Sequence, residues 1–317
     1  MAGFLTYYLF GMESCDMLSD NYIHEVIKKN NHAFLLGLQG NNLLSFNPHT
    51  LSKRGLSYRT ASLTLRNQEY AAFFNNMLDT LSGMADQERD VCIAYMAGYL
   101  CFFTIDQSAS PYILFRVWQD LPAKCSSSRM TCHRRKVETT IDTVLLRSRC
   151  HMEPSQLNFE ALTFVSRKDL SAIAYLMRQT IQTTYKYRIS ANEISTGVRN
   201  MQRQNIHLRP NNRFYHLLRY RIEGTLPILP AQKKKVYQDY LSDEHDYMNT
   251  DKSRGTPIPA ARKLPISPLK RSLSRHFRTV ISFLRTWTAA LHGAWTVKNS
   301  STALFISFLI HRYKRAL

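Results

Sequence analysis

The chain has 317 residues, of which 44% are hydrophobic and 21% charged. That length is enough to bury the core of one or two domains, and the composition excludes disorder of the whole chain. The net charge of +19 is uneven: residues 252–317 hold 13 Lys and Arg and no acid, so the body is only mildly basic.

No segment has the roughly 18 uninterrupted apolar residues of a membrane span, and the start lacks the basic region and cleavage site of a signal peptide. The six cysteines form no Cys-x-x-Cys pair, which argues against a zinc ribbon. Cys92 and Cys101 fall in an apolar helix and are expected to be core residues. Reduced thiols and a cytoplasmic protein follow.

Taken in chain order, the body reads as helical. Ile23, Val26 and Ile27 begin an amphipathic pattern running toward Phe34 and Gly37. Phe73, Phe74, Met77, Leu78 and Leu81 repeat at helical spacing. Residues 91–105 are apolar almost all round and predict a buried helix with Asp106 at its end. Val137, Ile141, Val144 and Leu145 mark a helix starting near His133. Leu170, Ile173, Ala174, Met177 and Ile181 mark the next. Ser190 and Glu193 form a capping box ahead of Ile194, Val198 and Met201. Phe214 to Ile222, stopped by Gly224, suggests a seventh helix. Strand-like alternation is nearly absent, so the expected fold is an all-α multi-helix bundle over residues 1–250. Four prolines, from Pro257 to Pro268, mark a linker over 251–270. A basic, partly helical tail fills 271–317.

The candidate chemistry lies in the acids. A carboxylate beside a buried helix must be paired or bind a cation. Histidines and carboxylates four residues apart share a helix face, so His-x-x-x-Asp and His-x-x-x-Glu each offer two ligands to one metal. Here those pairs read Phe102-x-x-x-Asp106 and Arg134-x-x-x-Glu138. The carboxylate halves are present and the histidine halves are not. No Gly-x-Ser-x-Gly, phosphate-loop or dinucleotide fingerprint occurs, which argues against serine hydrolase, NTPase and dehydrogenase functions.

An ordered series of segments resembles the bacterial zinc-dependent phospholipase C family (phospholipase C/D domain). Thr6-Tyr7-Tyr8-Leu9-Phe10-Gly11 resembles the family's opening Thr-His-Tyr-Leu-Phe-Gly. Residues 33–42, Ala-Phe-Leu-Leu-Gly-Leu-Gln-Gly-Asn-Asn, resemble Ala-Phe-Leu-Leu-Gly-Leu-Gln-Gly-Pro-Asp. Ala94 to Asp106, followed by Ser110-Pro111-Tyr112, resembles a helix ending His-x-x-x-Asp and a later His-Pro-Tyr. Val137 to Asp142 resembles the His-x-x-x-Glu-x-x-x-Asp helix, and Asp239 to His245 a segment near the C-terminus.

The resemblance implies an all-α bundle that holds up to three zinc ions and activates a water for attack on a phosphodiester. Position by position it places Tyr7, Phe102, Ser110 and Arg134 where the family has histidines, and Asn42 where it has an aspartate. Asp106, Glu138 and Asp142 are retained. Asp106, Glu138 and Asn42 are therefore remnant metal positions, and no catalytic residue is assigned. Two or three carboxylates and an amide suit a hard cation such as Mg²⁺ or Ca²⁺ better than zinc. The preferred expectation is that no cofactor binds. Arg134 then pairs with Glu138, and across the bundle with Asp106, its guanidinium replacing the metal's charge.

The tail carries Lys263, Lys270, Arg271, Arg275, Arg278 and Arg285 beside Phe277, Phe283, Trp287 and Trp295. Such a segment suits an anionic phospholipid surface, where each basic residue contributes about 1 kcal/mol; it also suits nucleic-acid phosphates. A solvated extension, or a product of gene decay where the family carries a Glu-rich helix, is the plain alternative. The expected function is a degenerate phospholipase C-like protein that binds lipid headgroups or a partner without hydrolysing them. The alternatives are an active phosphodiesterase with an altered metal set and a nucleic-acid binder.

Overall fold

The computed structural model describes residues 3–18, 22–46, 70–122 and 124–205. Of these, 81% are helical and none lies in a strand. The helices are α1 (Phe4–Asp16), α2 (Tyr22–Lys29), α3 (Asn31–Gly37), α4 (Asn42–Ser45), α5 (Tyr70–Ser82), α6 (Asp86–Asp120), α7 (Ser127–Cys150), α8 (Arg167–Tyr185) and α9 (Ala191–Asn205). Short 3-10 turns, Pro154–Gln156 and Ala161–Thr163, lie between α7 and α8. The seventh helix, the Pro-rich linker, the basic tail and the segment around His245 lie outside the described residues.

Several boundaries follow from local chemistry. Ser126 Oγ accepts the Arg129 amide to open α7, and Ser166 Oγ accepts the Asp169 amide to open α8. At α9 the Glu193 carboxylate accepts the Ser190 amide while Ser190 Oγ accepts the Glu193 amide, a reciprocal capping box.

Three helices differ from the sequence pattern. The first is α1, whose apolar residues are spread around the helix and give no stripe; Leu5, Tyr7, Leu9 and Phe10 are all buried. The second is the run from Ile23 to Gly37, which breaks at Asn30. The Asn30 side chain donates to the Val26 carbonyl at 3.0 Å, on the same oxygen that accepts the Asn30 backbone amide closing the last turn of α2. The third is α6, which passes Asp106 and Pro111 and continues to Asp120. Ile105, Ala109, Ile113 and Val117 recur every four residues and are essentially inaccessible. Burying the three branched side chains contributes about 1.5–3 kcal/mol each. That offsets the roughly 3 kcal/mol cost of an interior proline. By length and apolarity alone α6 matches a membrane span, but 82% of its most apolar stretch is buried within the protein.

The described residues fall into two compact units. The first is built from the described parts of 1–10, 103–161 and 204–278. Its core comprises Leu5, Ile105, Ile113, Val117, Val137, Ile141 and Leu146, with Phe4 against Phe159 at 5.8 Å between ring centroids. The second takes the described parts of 11–102 and 162–203. There α5 lies along α8, and Asn76 Nδ2 donates to Thr184 Oγ1 at 2.9 Å. Phe73, Phe74 and Tyr99 form a cluster of ring contacts.

Within the second unit, α3 and the first half of α6 touch backbone to backbone. A Cβ at Gly37 would fall on the Tyr95 carbonyl, and one at Gly98 on the Phe34 carbonyl. Neither obstacle is a side chain that can swing aside. Gly98→Ala is therefore expected to destabilise the protein by about 3 kcal/mol or more, by prying the helices apart. Tyr95, one turn away, has a fully buried hydroxyl without a hydrogen-bond partner among the described residues. Tyr95→Phe removes that orphan and is expected to be neutral or to stabilise by about 1 kcal/mol. Urea unfolding of the two variants checks both signs.

Burial pushes the thiols of Cys15 to about 11 and of Cys92 and Cys101 to about 12. The folded state holds these protons more tightly than the unfolded chain does. Their contribution to stability is therefore complete below pH 9.0 and falls as pH rises through about 11 to 12. At pH 8 iodoacetamide is expected to label exposed Cys150 first and to leave Cys15, Cys92 and Cys101 unmodified until the protein unfolds. Peptide mass spectrometry reads the order.

Candidate functional site

In the first unit the start of α1 meets α7. The carboxylate of Asp142 has no exposed surface. It accepts the backbone amide of Leu5 at 2.9 Å and that of Thr6 at 2.8 Å, and also the Thr6 hydroxyl. These amides belong to the first turn of α1, which has no partners of its own for them. A negative charge placed there also meets the positive end of the helix dipole. Gly3 makes the approach possible, because a Cβ at that position would lie on the Asp142 carboxyl group.

The next residue of α1 engages a second acid. The Tyr7 hydroxyl donates to Asp106 Oδ1 at 2.7 Å, and the Ser110 hydroxyl donates to the same oxygen at 2.8 Å. Tyr7 is buried and Asp106 is 7% exposed. Ser110 reaches Asp106 because α6 continues past it, which places the two residues one turn apart on one face. The third acid is Glu138, 4% exposed, whose Oε1 accepts from Arg134 Nε at 2.9 Å. The Arg134 side chain retains 28% of its exposure, so this pair bridges the protein interior and its surface. The Arg134 guanidinium thus reaches Glu138, and the Tyr7 and Ser110 hydroxyls are among the partners of Asp106.

Phe102 and Asn42 belong to the second unit. The Phe102 ring covers Gly40, whose φ of +48° lies in the left-handed region and whose Cβ would strike that ring. Asn42 is the first residue of α4. Its neighbour Asn41 is the buried one, and Asn41 Oδ1 accepts the Tyr99 hydroxyl. Among the described residues no three His, Cys, Asp or Glu side chains gather in a group able to hold a metal ion.

Two features escape the sequence pattern. Thr6 is one, since its role depends on an acid 136 residues away. The other is His133, whose Nε2 lies 2.9 Å from Asp120 Oδ2 in a partly buried pair that joins the end of α6 to the first half of α7. The continuity of α6 through Pro111 was the signal that would have located it. No family model, curated protein or solved structure matches the chain.

Removing the Asp142 carboxylate leaves two buried amides and a hydroxyl without their acceptor. Asp142→Ala is expected to destabilise by about 3 kcal/mol or more, and Asp142→Asn, which keeps one acceptor oxygen, by roughly half as much. Amide hydrogen exchange at Leu5 and Thr6 is expected to accelerate in both variants before other amides of α1 respond.

Proposed function

We propose that this chain is a degenerate, zinc-dependent phospholipase C-like helical protein that binds lipid headgroups or a partner and does not hydrolyse a phosphodiester. The observation that carries this reading is the pair of hydroxyls on Asp106. The resemblance places histidines at positions 7 and 110; Tyr7 and Ser110 stand there, and both donate to the retained acid. An imidazole at either place would offer a lone pair to a metal beside the carboxylate. A hydroxyl hydrogen bond to the carboxylate satisfies the acid directly.

The other two acids support the same reading. Glu138 accepts from Arg134, the residue that stands at a third expected histidine. Asp142 is committed to the first turn of α1. A structural or catalytic zinc needs at least three protein ligands, usually with nitrogen or sulfur among them. Here Asp106 and Asp142 join helices and Glu138 pairs within α7, by hydrogen bonds that a metal would have to break. Retained carboxylates then maintain the fold, and the lipid- or partner-binding role rests on surfaces outside these pairs.

The purified full chain is expected to carry less than one zinc by elemental analysis and to leave a chromogenic phosphodiester unhydrolysed, with or without added Zn²⁺. Two or more bound zinc ions, or zinc-stimulated turnover, would overturn the reading and favour an active phosphodiesterase. Co-sedimentation with vesicles of phosphatidylglycerol and of phosphatidylcholine tests the lipid role; recovery with neither rejects it.

A further inference from the structure

We propose that the C-terminal end of α8 forms a separate binding site for a small oxyanion of the phosphate-ester type. A surface cleft of about 360 Å³ lies there, lined by Gln179, Gln182, Thr183, Lys186 and Arg188. Its volume falls at the lower end of the range for small-ligand pockets.

The local fold places these groups together for simple reasons. Gln179, Gln182 and Thr183 are three and four residues apart, so they form one ridge on α8. The buried stripe of Leu170, Ile173, Ala174, Met177 and Ile181 fixes the core-facing side of that helix. The helix ends at Lys186, whose φ of 58° turns the chain, and Arg188 follows at the cleft.

The chemistry of the lining is one-sided. Among the described residues, two permanent cations, two amides and a hydroxyl line the cleft, with no acid and no apolar side chain. Neither Lys186 nor Arg188 makes an ion pair among the described residues. A guanidinium presents a fork of donors that matches phosphate oxygens, an ammonium adds a point charge, and amides and a hydroxyl complete the donor set.

A plainer account is that cations at a helix C-terminus complement its dipole; the same dipole opposes an anion there, by about 1 kcal/mol or less at an exposed site, which the two cations must outweigh. That accounts for a positive charge at Lys186. It does not account for Arg188, which lies beyond the last turn. A binding site for an anion explains a second cation there.

Thermal unfolding of the full chain in sodium phosphate, against sodium chloride of equal ionic strength, tests the site. About 10 mM phosphate is expected to raise the Tm of the unmodified protein by about 2 °C or more. Lys186→Gly and Arg188→Gln are expected to lose most of that rise. Lys186→Gly relieves the left-handed backbone, so its own Tm is not expected to fall, and loss of the response cannot be ascribed to misfolding. No rise in the unmodified protein, or an equal rise in all three, would overturn the proposal. Glycerol 3-phosphate reproducing the shift assigns a soluble ester. Co-sedimentation with phosphatidic-acid vesicles that depends on Lys186 assigns a lipid headgroup. Failure of both reduces the response to an inorganic ion and also overturns the proposal.

Discussion

A carboxylate with no access to solvent anchors the beginning of this chain. Asp142 satisfies the first-turn amides of α1 and the Thr6 hydroxyl, and so decides where α1 starts and how it meets α7. Once α1 is fixed, the next side chain along it, Tyr7, is delivered to Asp106 on α6. Three helices thus share two buried acids in the first unit. Hydrogen bonds to charged groups contribute about 1.5–3 kcal/mol each, more than neutral ones. Losing an acceptor here also strands donors with no water to turn to. The polar interior is therefore a fixed part of the packing.

The second unit meets its constraint with the absence of atoms. Gly37 and Gly98 let two helix backbones approach until each carbonyl occupies the space of the other's missing side chain. Aromatic rings of Phe73, Phe74 and Tyr99 pack nearby within the same unit, and Phe102 closes over Gly40. Burial of such rings provides large apolar area with few rotatable bonds. Phe102 stands where the resemblance expects a metal ligand, and here it packs as an ordinary core aromatic.

Helical character was legible wherever a one-sided apolar stripe met a recognisable cap. The pattern from Leu170 to Ile181 marks α8, and Ser190 with Glu193 marks the start of α9. Legibility failed where the stripe was missing or a local signal was overruled. Helix α1 is apolar on several sides and shows no period. The sequence pattern ends a helix at Asp106, yet the buried row from Ile105 to Val117 carries α6 across Asp106 and Pro111. At Asn30 the reverse holds: a continuous pattern breaks where its side chain and its own amide both bond the Val26 carbonyl. The i and i+4 spacing of Arg134 and Glu138 was enough to place their contact. Spacing said nothing of the Tyr7 and Thr6 contacts, because their partners lie 99 and 136 residues away.

Those separations have a consequence for biosynthesis. A ribosome delivers the chain from its amino-terminal side, so the opening turn of α1 emerges long before Asp142 exists. Until then its amides have only water or transient partners. Closing so wide a loop is slow relative to forming a helix from near neighbours. The opening turn of α1 is thus made before the acid that secures it, and its hydrogen bonds wait on a chain segment 136 residues further on.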